Sequence, residues 1–309
     1  MYQLVIIGGG PGGVAAGVYA ARKQIRFLLI TDEIGGQSVV SSSVCNWIGE
    51  QKISGFEFAE KLEKHLKAQV GLELVEREKV VKVTKVREGY YKIRLGTGAV
   101  YEAERVLIVT GSLRRHLGVP GSDEFTGKGV AYCSTCDAPI FKDKVVAVVG
   151  GGNAGIGAVT DLLPYASKIF LMERGNRLRG DAVDVRHIEE VSKVEILYNT
   201  SIKEIYGNDF VAGLKYENLK NGEVKDFPLQ GVFVEVGAYP NSEIVKHLVK
   251  LNKKGEIVVD HKTQRTSDAG IWAAGDVSDS LYKQNNTSAG DAIKAVLNIY
   301  DDILRPSGS

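Results

Sequence analysis

Two cysteines, Cys133 and Cys136, are separated by two residues in Tyr132-Cys133-Ser134-Thr135-Cys136-Asp137-Ala138-Pro139. Thiols at that spacing, at a turn or helix start, can close a disulfide, and a helix N-terminus stabilises a thiolate. The competing chemistry is half of a zinc site, which needs a second such pair or neighbouring histidines. His65, His116, His187, His247 and His261 include no H-x3–5-H pair, so no metal site is expected. Two buried small hydrophobes is the remaining reading, but it leaves unexplained why two of only three cysteines sit beside an acid. Asp137 is the candidate proton carrier, since no histidine is near in sequence. A first-turn helix acid would stand at the same place. The third cysteine, Cys45, is read as a packing residue.

Glycine turns carry a second chemistry. Gly8, Gly10 and Gly13 have the spacing G-x-G-x-x-G, and so do Gly150, Gly152 and Gly155. The first glycine allows a tight turn after a strand, the second lets a phosphate approach the backbone, and the third lets helix pack on strand. The following helix aims its positive end at a pyrophosphate. One such turn is weak evidence, because glycine often serves packing alone. Here the whole context is duplicated: a shift of 142 residues lays Val5–Gly10 on Ala147–Gly152 and Arg26–Ile30 on Lys168–Met172 without a gap. Each copy reads as strand, glycine turn, small-residue helix and second strand. Two dinucleotide sites are expected. A third signal, Gly270-Ile271-Trp272-Ala273-Ala274-Gly275-Asp276, is an apolar strand whose end can set a backbone N–H and a carboxylate beside a cofactor's ribityl or phosphate chain.

The elements that position these groups follow from periodicity. A helix is expected over 55–69, antiparallel strands near 80–86, 91–95 and 100–103, and a buried strand over 105–110. Further strands are expected near 194–199, 210–216, 231–236, 256–259 and 270–274, and a C-terminal helix over 288–304. Residues 112–122 and 237–242 read as linkers. The fold class is therefore α/β, with two Rossmann-like dinucleotide-binding domains, one inserted into the other. One domain comprises 1–113 and 243–309, and the other 114–242.

Composition narrows the function. At 309 residues, 44% hydrophobic and 25% charged, the chain is ordinary for a globular protein. Its net charge of +1 gives no electrostatic reason to expect nucleic acid or an anionic membrane as partner. No segment reaches the 18 apolar residues of a membrane span, and the N-terminus lacks a basic n-region. A cytoplasmic location is expected, and Ser307–Ser309 reads as a tail without a role.

Taken together, these motifs resemble a low-molecular-weight thioredoxin reductase of the flavin disulfide reductase superfamily, over essentially the whole chain. The resemblance is carried by G-x-G-P-x-G at Gly8–Gly13, Tyr19-Ala20-Ala21-Arg22, Gly35-Gly36-Gln37, Asn46-Trp47, Thr110-Gly111, Cys133–Asp137, Gly150–Gly155, Gly275-Asp276, Tyr282-Lys283-Gln284 and Thr287-Ser288-Ala289-Gly290. The C-terminal part of the alkyl hydroperoxide reductase flavoprotein subunit is similar too. That protein carries an extra N-terminal thioredoxin-like domain, for which no residues are expected here.

The resemblance implies a homodimer of three-layer ββα domains that binds FAD in the first domain and a nicotinamide nucleotide in the inserted one. FAD would meet Gly8, Gly10, Pro11, Gly13, Gly36, Gln37, Asn46, Thr110, Gly111, Gly275, Asp276, Lys283 and Gln284. The nucleotide would meet Gly150, Gly152, Asn153, Ala154, Gly155, Glu173, Arg174 and Arg179. Cys136 would face the flavin, Cys133 would attack the disulfide of a thioredoxin or glutaredoxin-like partner, and Asp137 would give the proton. The linkers would serve as a hinge.

Departures bear on the donor. NADPH-binding members carry His-Arg-Arg-x-x-x-Arg where this chain has Glu173-Arg174-Gly175-Asn176-Arg177-Leu178-Arg179. An acid at the end of that strand suits the free ribose hydroxyls of NADH and repels a 2′-phosphate, although Arg174 and Arg179 retain the means to hold one. A surface acid paired with Arg174 or Arg177 is the plainer reading of Glu173. Relatives without the arginines also include some that take electrons from another donor such as ferredoxin. Ala138 replaces a usual glycine, and Asn285-Asn286 replace apolar residues beside Gln284. The favoured function is a disulfide reductase using NADH rather than NADPH. A peroxide-producing dithiol oxidase and a non-catalytic nucleotide sensor are its rivals.

Overall fold

The first strand, β1 (Leu4–Ile7), is apolar and buried at every position, as expected of a parallel sheet covered on both faces. A computed structural model describes residues 1–40, 44 and 46–305, apart from the side chains of Val40, Thr135 and Cys136. After β1 the chain turns into α1 (Pro11–Arg22), where Pro11 occupies the first helical position and loses no hydrogen bond. There follow β2 (Phe27–Thr31) and α2 (Gly55–Lys67), the latter started by a capping box between Ser54 and Glu57. Next come β3 (Glu73–Glu76), the meander β4 (Val80–Arg87), β5 (Tyr90–Leu95) and β6 (Val100–Ala103), and then β7 (Val106–Ile108). Strand β8 (Ser112–Arg114) leads out of this part of the chain.

The insertion holds β9 (Val130–Ala131), α3 (Ser134–Asp137), β10 (Val145–Val149), α4 (Asn153–Leu162), β11 (Lys168–Glu173) and α5 (Ala182–Glu189). It continues with β12 (Val194–Tyr198), β13 (Thr200–Gly207), β14 (Val211–Asn218), β15 (Val224–Pro228) and β16 (Gly231–Val234). Strand β17 (Ala238–Pro240) pairs with β8, and the chain ends through β18 (Ile271–Ala273) and α6 (Asn285–Leu304). Two compact units result: Met1–Leu113 with Tyr239–Ser309, and Arg114–Ala238.

The units share a plan. The first has a five-stranded sheet ordered β3-β2-β1-β7-β18, and the second one ordered β12-β11-β10-β16-β9. Every pairing in both is parallel. Antiparallel sheets β4-β5-β6 and β13-β14-β15 complete them. In the first unit Leu4 and Ile6 pack on helix residues Val14, Val296 and Ile299, while Val5 and Ile7 pack on Val83, Tyr91 and Ile93 of the antiparallel sheet. In the second, Val146 and Val148 meet Ile156 and Val159, while Ala147 and Val149 meet Ile202 and Leu214. Strand alternation thus builds helix, parallel sheet and antiparallel sheet into three layers twice over.

Some elements differ from expectation. Residues 256–259 form no strand; Ile257 makes isolated bridges to Leu251 and Ser278. Helix α6 begins at Asn285 rather than Ser288, because Thr287 Oγ1 accepts the Gln284 N–H at 3.1 Å and starts the turn earlier. Strands β3, β13 and β15 and helix α5 were not foreseen from the sequence. No helix among the described residues is long and apolar enough to cross a membrane.

Candidate functional site

The two glycine turns are near-copies in geometry. Gly8 and Gly150 have φ of +120° and +118°, and a Cβ on either would lie 2.3 Å from Val109 O or 2.2 Å from Glu235 O. A Cβ on Gly13 would lie 1.9 Å from Gly8 O, and one on Gly155 1.7 Å from Gly150 O. The first and third glycines are therefore demanded by the fold itself. The second are not. A Cβ on Gly10 would meet nothing nearer than Gly36 Cα at 4.0 Å, and one on Gly152 nothing within 4 Å. Both are extended helix N-caps with no side-chain cap of their own. The space in front of Gly10 and Gly152, at the positive ends of α1 and α4, fits a phosphate-bearing dinucleotide.

In the first unit most of the expected cofactor residues gather near the Gly10 turn and the α6 N-terminus. Gly36, with φ of +61°, lies against Gly10: its Cβ would be 3.1 Å from Gly10 Cα. Gln37 Nε2 donates to Ser112 O at 2.5 Å, and Thr110 Oγ1 to Asn241 O at 2.7 Å. Asn46 Nδ2 donates to Gln284 Oε1 at 3.1 Å, joining two expected flavin contacts to each other. Asn285 and Asn286, left without a role by the sequence, extend this seam. Ser38 Oγ donates to Asn285 Oδ1 at 3.0 Å, Asn286 Nδ2 donates to Asn46 O at 2.6 Å, and the Ile48 N–H reaches Asn286 Oδ1 at 3.3 Å.

At the end of β18, Gly275 has φ of +72° and packs on Ser288. Burial pushes the Asp276 carboxyl up, against the opposing pull of Lys283 and of the hydroxyls of Ser288 and Ser112. Lys283 Nζ donates to Asp276 O at 3.2 Å and Ser278 O at 2.5 Å and pairs with Glu256 at 3.1 Å, so it braces the turn that carries Asp276.

In the second unit Glu173 closes β11 and is only 2% exposed. Its carboxylate accepts the Gly151 N–H at 2.7 Å and the Gly175 N–H at 2.6 Å, with Arg179 Nη2 at 3.3 Å from both oxygens. The expectation of a surface acid paired with Arg174 or Arg177 is corrected: burial beside the glycine turn makes Gly151, Gly175 and Arg179 its partners. Arg174 is exposed. Asn153 Oδ1 accepts the Asp181 N–H at 2.8 Å, and the Arg179 N–H donates to Gly151 O at 2.7 Å, so residues 179–181 lie against the turn. Ala154 is exposed in the first turn of α4.

The C-x-x-C opens α3, a single turn in which the Asp137 N–H bonds Cys133 O at 3.1 Å. Cys133 is held in a disulfide. Burial pushes the Asp137 carboxyl up, which suits a proton donor. Sequence reading missed Ser134, which donates to Asp161 Oδ2 at 2.8 Å, and His116, whose ring centre lies 4.9 Å from that of Tyr132. Neither has a signal in the sequence, because each pair is joined only by the fold. The Cys136 side chain, Cys45 and Ser307–Ser309 lie outside the described residues.

Residues 2–295 match the family model for pyridine nucleotide-disulphide oxidoreductases. One alkyl hydroperoxide reductase subunit, that of Pseudomonas putida, is 38% identical over 99% of the chain, and the corresponding protein of Staphylococcus aureus (strain Mu50 / ATCC 700699) is 38% identical over 98%. The chain spans 59% of the length of each. Among solved structures, the thioredoxin reductase of Lactococcus lactis superposes with a TM-score of 0.93 at 29% identity, covering 98% of this chain and 99% of that one. The thioredoxin reductase of T. acidophilum gives 0.90 at 34% identity, with the same coverage. The duplicated cradles, the disulfide-bonded Cys133 and these likenesses lead to one assignment: the chain belongs to the pyridine nucleotide-disulphide oxidoreductase family, with the two-domain dinucleotide-binding fold of the low-molecular-weight thioredoxin reductases.

Proposed function

We propose that this protein is a flavin-dependent disulfide reductase that draws electrons from NADH, in preference to NADPH, and delivers them to a thioredoxin or glutaredoxin-like protein. The observation that carries this reading is the pair of open cradles at Gly10 and Gly152, combined with a disulfide-bonded Cys133 on the second unit. FAD belongs to the first unit and the nicotinamide nucleotide to the second, with Met1–Leu113 and Tyr239–Ser309 serving one cofactor and Arg114–Ala238 the other. The working form is a cytoplasmic homodimer, as in the family that the motifs resemble.

Bound FAD and nicotinamide nucleotide supply the hydride chemistry; the chain supplies the rest. The Gly10 and Gly152 turns seat the two pyrophosphates at the ends of α1 and α4. Glu173, fixed by Gly151 and Gly175, presents its carboxylate at the strand end where ribose hydroxyls would donate. In the reduced dithiol, the Cys133 thiolate attacks one sulfur of the partner's disulfide and forms a mixed disulfide, releasing one partner thiolate. Cys136 then attacks the Cys133 sulfur, freeing the second partner thiolate, so two electrons pass and the Cys133–Cys136 bond re-forms. Asp137, held above the ordinary carboxylate range by burial, provides a proton for a departing thiolate.

The test is an anaerobic titration of the yellow protein with NADH or NADPH, following the visible flavin absorption. Rapid bleaching by NADH, with Cys136→Ser still bleaching but no longer reducing a protein disulfide, is the expected result. Bleaching by a chemical reductant alone would move the search to ferredoxin-like donors. Stoichiometric peroxide without protein reduction would replace the reductase by an oxidase.

A further inference from the structure

Glu173 has little acceptor capacity to spare. A carboxylate offers about four lone-pair positions. The Gly151 N–H takes one on Oε2 and the Gly175 N–H one on Oε1, while Arg179 Nη2 lies 3.3 Å from both oxygens and covers what is left. The two glycines also close the carboxylate in: a Cβ on Gly151 or Gly175 would lie 2.7 or 3.0 Å from its oxygens.

The three partners differ in how readily they can leave. Two are backbone groups, one of them inside the glycine turn. The third is a side chain that is 67% exposed. Its own backbone is pinned: the Arg179 N–H donates to Gly151 O at 2.7 Å, residue 179 bridges Gly152, and the Asp181 N–H donates to Asn153 Oδ1 at 2.8 Å. Rotation of the guanidinium about its own side-chain bonds is therefore the movement that uncovers Glu173. An ion pair with so exposed a partner favours the closed arrangement by a factor of only about two to five.

We infer that Arg179 is a gate on the adenosine-ribose subsite: its guanidinium covers Glu173 in the free protein and swings off before a ribose hydroxyl can donate there. The inference rests on the reading of the second unit as the nicotinamide-nucleotide site. A site that is open for a fraction of the time binds its ligand more weakly by that fraction. While in place, the cation also offsets the charge with which Glu173 repels a 2′-phosphate. Arg179 therefore narrows the preference for NADH, the opposite of an arginine that grips the bound nucleotide.

The experiment is calorimetric titration of the whole oxidised flavoprotein with NAD+, with NAD+ lacking the 2′-hydroxyl of its adenosine ribose, and with NADP+. Arg179→Ala and Arg179→Met both keep the backbone N–H and remove the guanidinium, and two replacements guard against one failing to fold. In each, the ratio of the Kd of the deoxy nucleotide to that of NAD+ should rise about two- to fivefold above the wild-type ratio. The Kd of NADP+ relative to NAD+ should rise as well. A folded variant in which the deoxy ratio is unchanged or smaller overturns the inference, because the hydroxyl then gains nothing from the removal of Arg179. Failure of the underlying reading looks different: a wild-type protein that binds none of the three nucleotides would bring down the nucleotide site itself, and the gate with it.

Discussion

Replacing Gly152 by alanine separates what the fold needs from what a ligand needs. Gly152 has φ of −91° and ψ of −177°, a conformation open to any residue, and an added methyl group meets no protein atom within 4 Å. A glycine-to-alanine change at a compatible backbone adds about 0.4–1 kcal/mol of stability by restricting the unfolded chain. Alanine is a poorer N-cap than glycine by a similar few tenths or more. The two nearly cancel, so the stability of Gly152→Ala without nucleotide should stay within about 1 kcal/mol of wild type. Binding should not. The methyl group fills the space in front of the α4 N-terminus, and loss of one charge-assisted backbone hydrogen bond costs about 1.5–3 kcal/mol, a ~10- to 100-fold rise in Kd. Gly155→Ala is the opposite control, because its methyl group would sit 1.7 Å from the Gly150 carbonyl oxygen. The backbone must shift, at a cost of about 3 kcal/mol and several degrees of Tm. Calorimetric titration with NAD+, which binds without reducing the flavin, and thermal melts of both variants check the pair. Wild-type affinity in a well-folded Gly152→Ala would refute the assignment of the second cradle to a phosphate.

Two further outcomes follow from buried carboxylates. Glu173→Gln leaves one amide oxygen to serve the N–H groups of both Gly151 and Gly175; about 1–3 kcal/mol of stability should be lost, and NADH should bind more weakly while NADPH does not, as equilibrium binding of each nucleotide would reveal. Burial tends to raise the Asp268 carboxyl, but Lys85 at 2.8 Å, the Tyr91 hydroxyl and the Gly270 N–H at 3.0 Å hold it below the ordinary carboxylate value. A depressed folded value contributes stability that is present above the unfolded value of ~3.9 and lost as pH falls through the folded one. Asp268→Asn should therefore cost about 3 kcal/mol at pH 7 and progressively less below pH ~4; urea unfolding that shows the same gap at pH 7 and pH 3 contradicts this.

What could be read from the sequence follows a physical division. The glycine turns and the flanking strands were legible because one local rule sets both spacing and apolar run, and the shift of 142 residues repeats it. The meander over Val80–Ala103 was legible from alternation. Strand β13 was not, because register shifts between Ile202 and Glu204 and between Tyr206 and Gly207 break its period. Strand β15 is largely exposed and ends in Pro228, which gives it little apolar signal. Residues 256–259 have strand composition, but Ile257 is held by single bridges on two sides. At the site, the residue types were legible and their partners were not. Glu173 was identified as an acid at a strand end, yet its burial against Gly151 depends on the turn 22 residues earlier. The Ser134–Asp161 bond spans 27 residues, and the Asn46–Gln284 bond 238. Neither leaves a mark on local periodicity.

The pairing of β8 with β17 bears on how the molecule assembles. The Arg115 N–H donates to Gly237 O at 2.9 Å, so the entry and exit of the insertion are neighbours. The first unit cannot complete its sheet until β18 has been synthesised, long after β7, its partner strand. If the insertion, Arg114–Ala238, were a free coil of 125 residues, closing it would cost about 4 kcal/mol. The insertion is continuous in sequence and carries its own sheet, so it can fold first as it leaves the ribosome. Once folded, it brings its ends together and hands the first unit a short hairpin in place of a long loop.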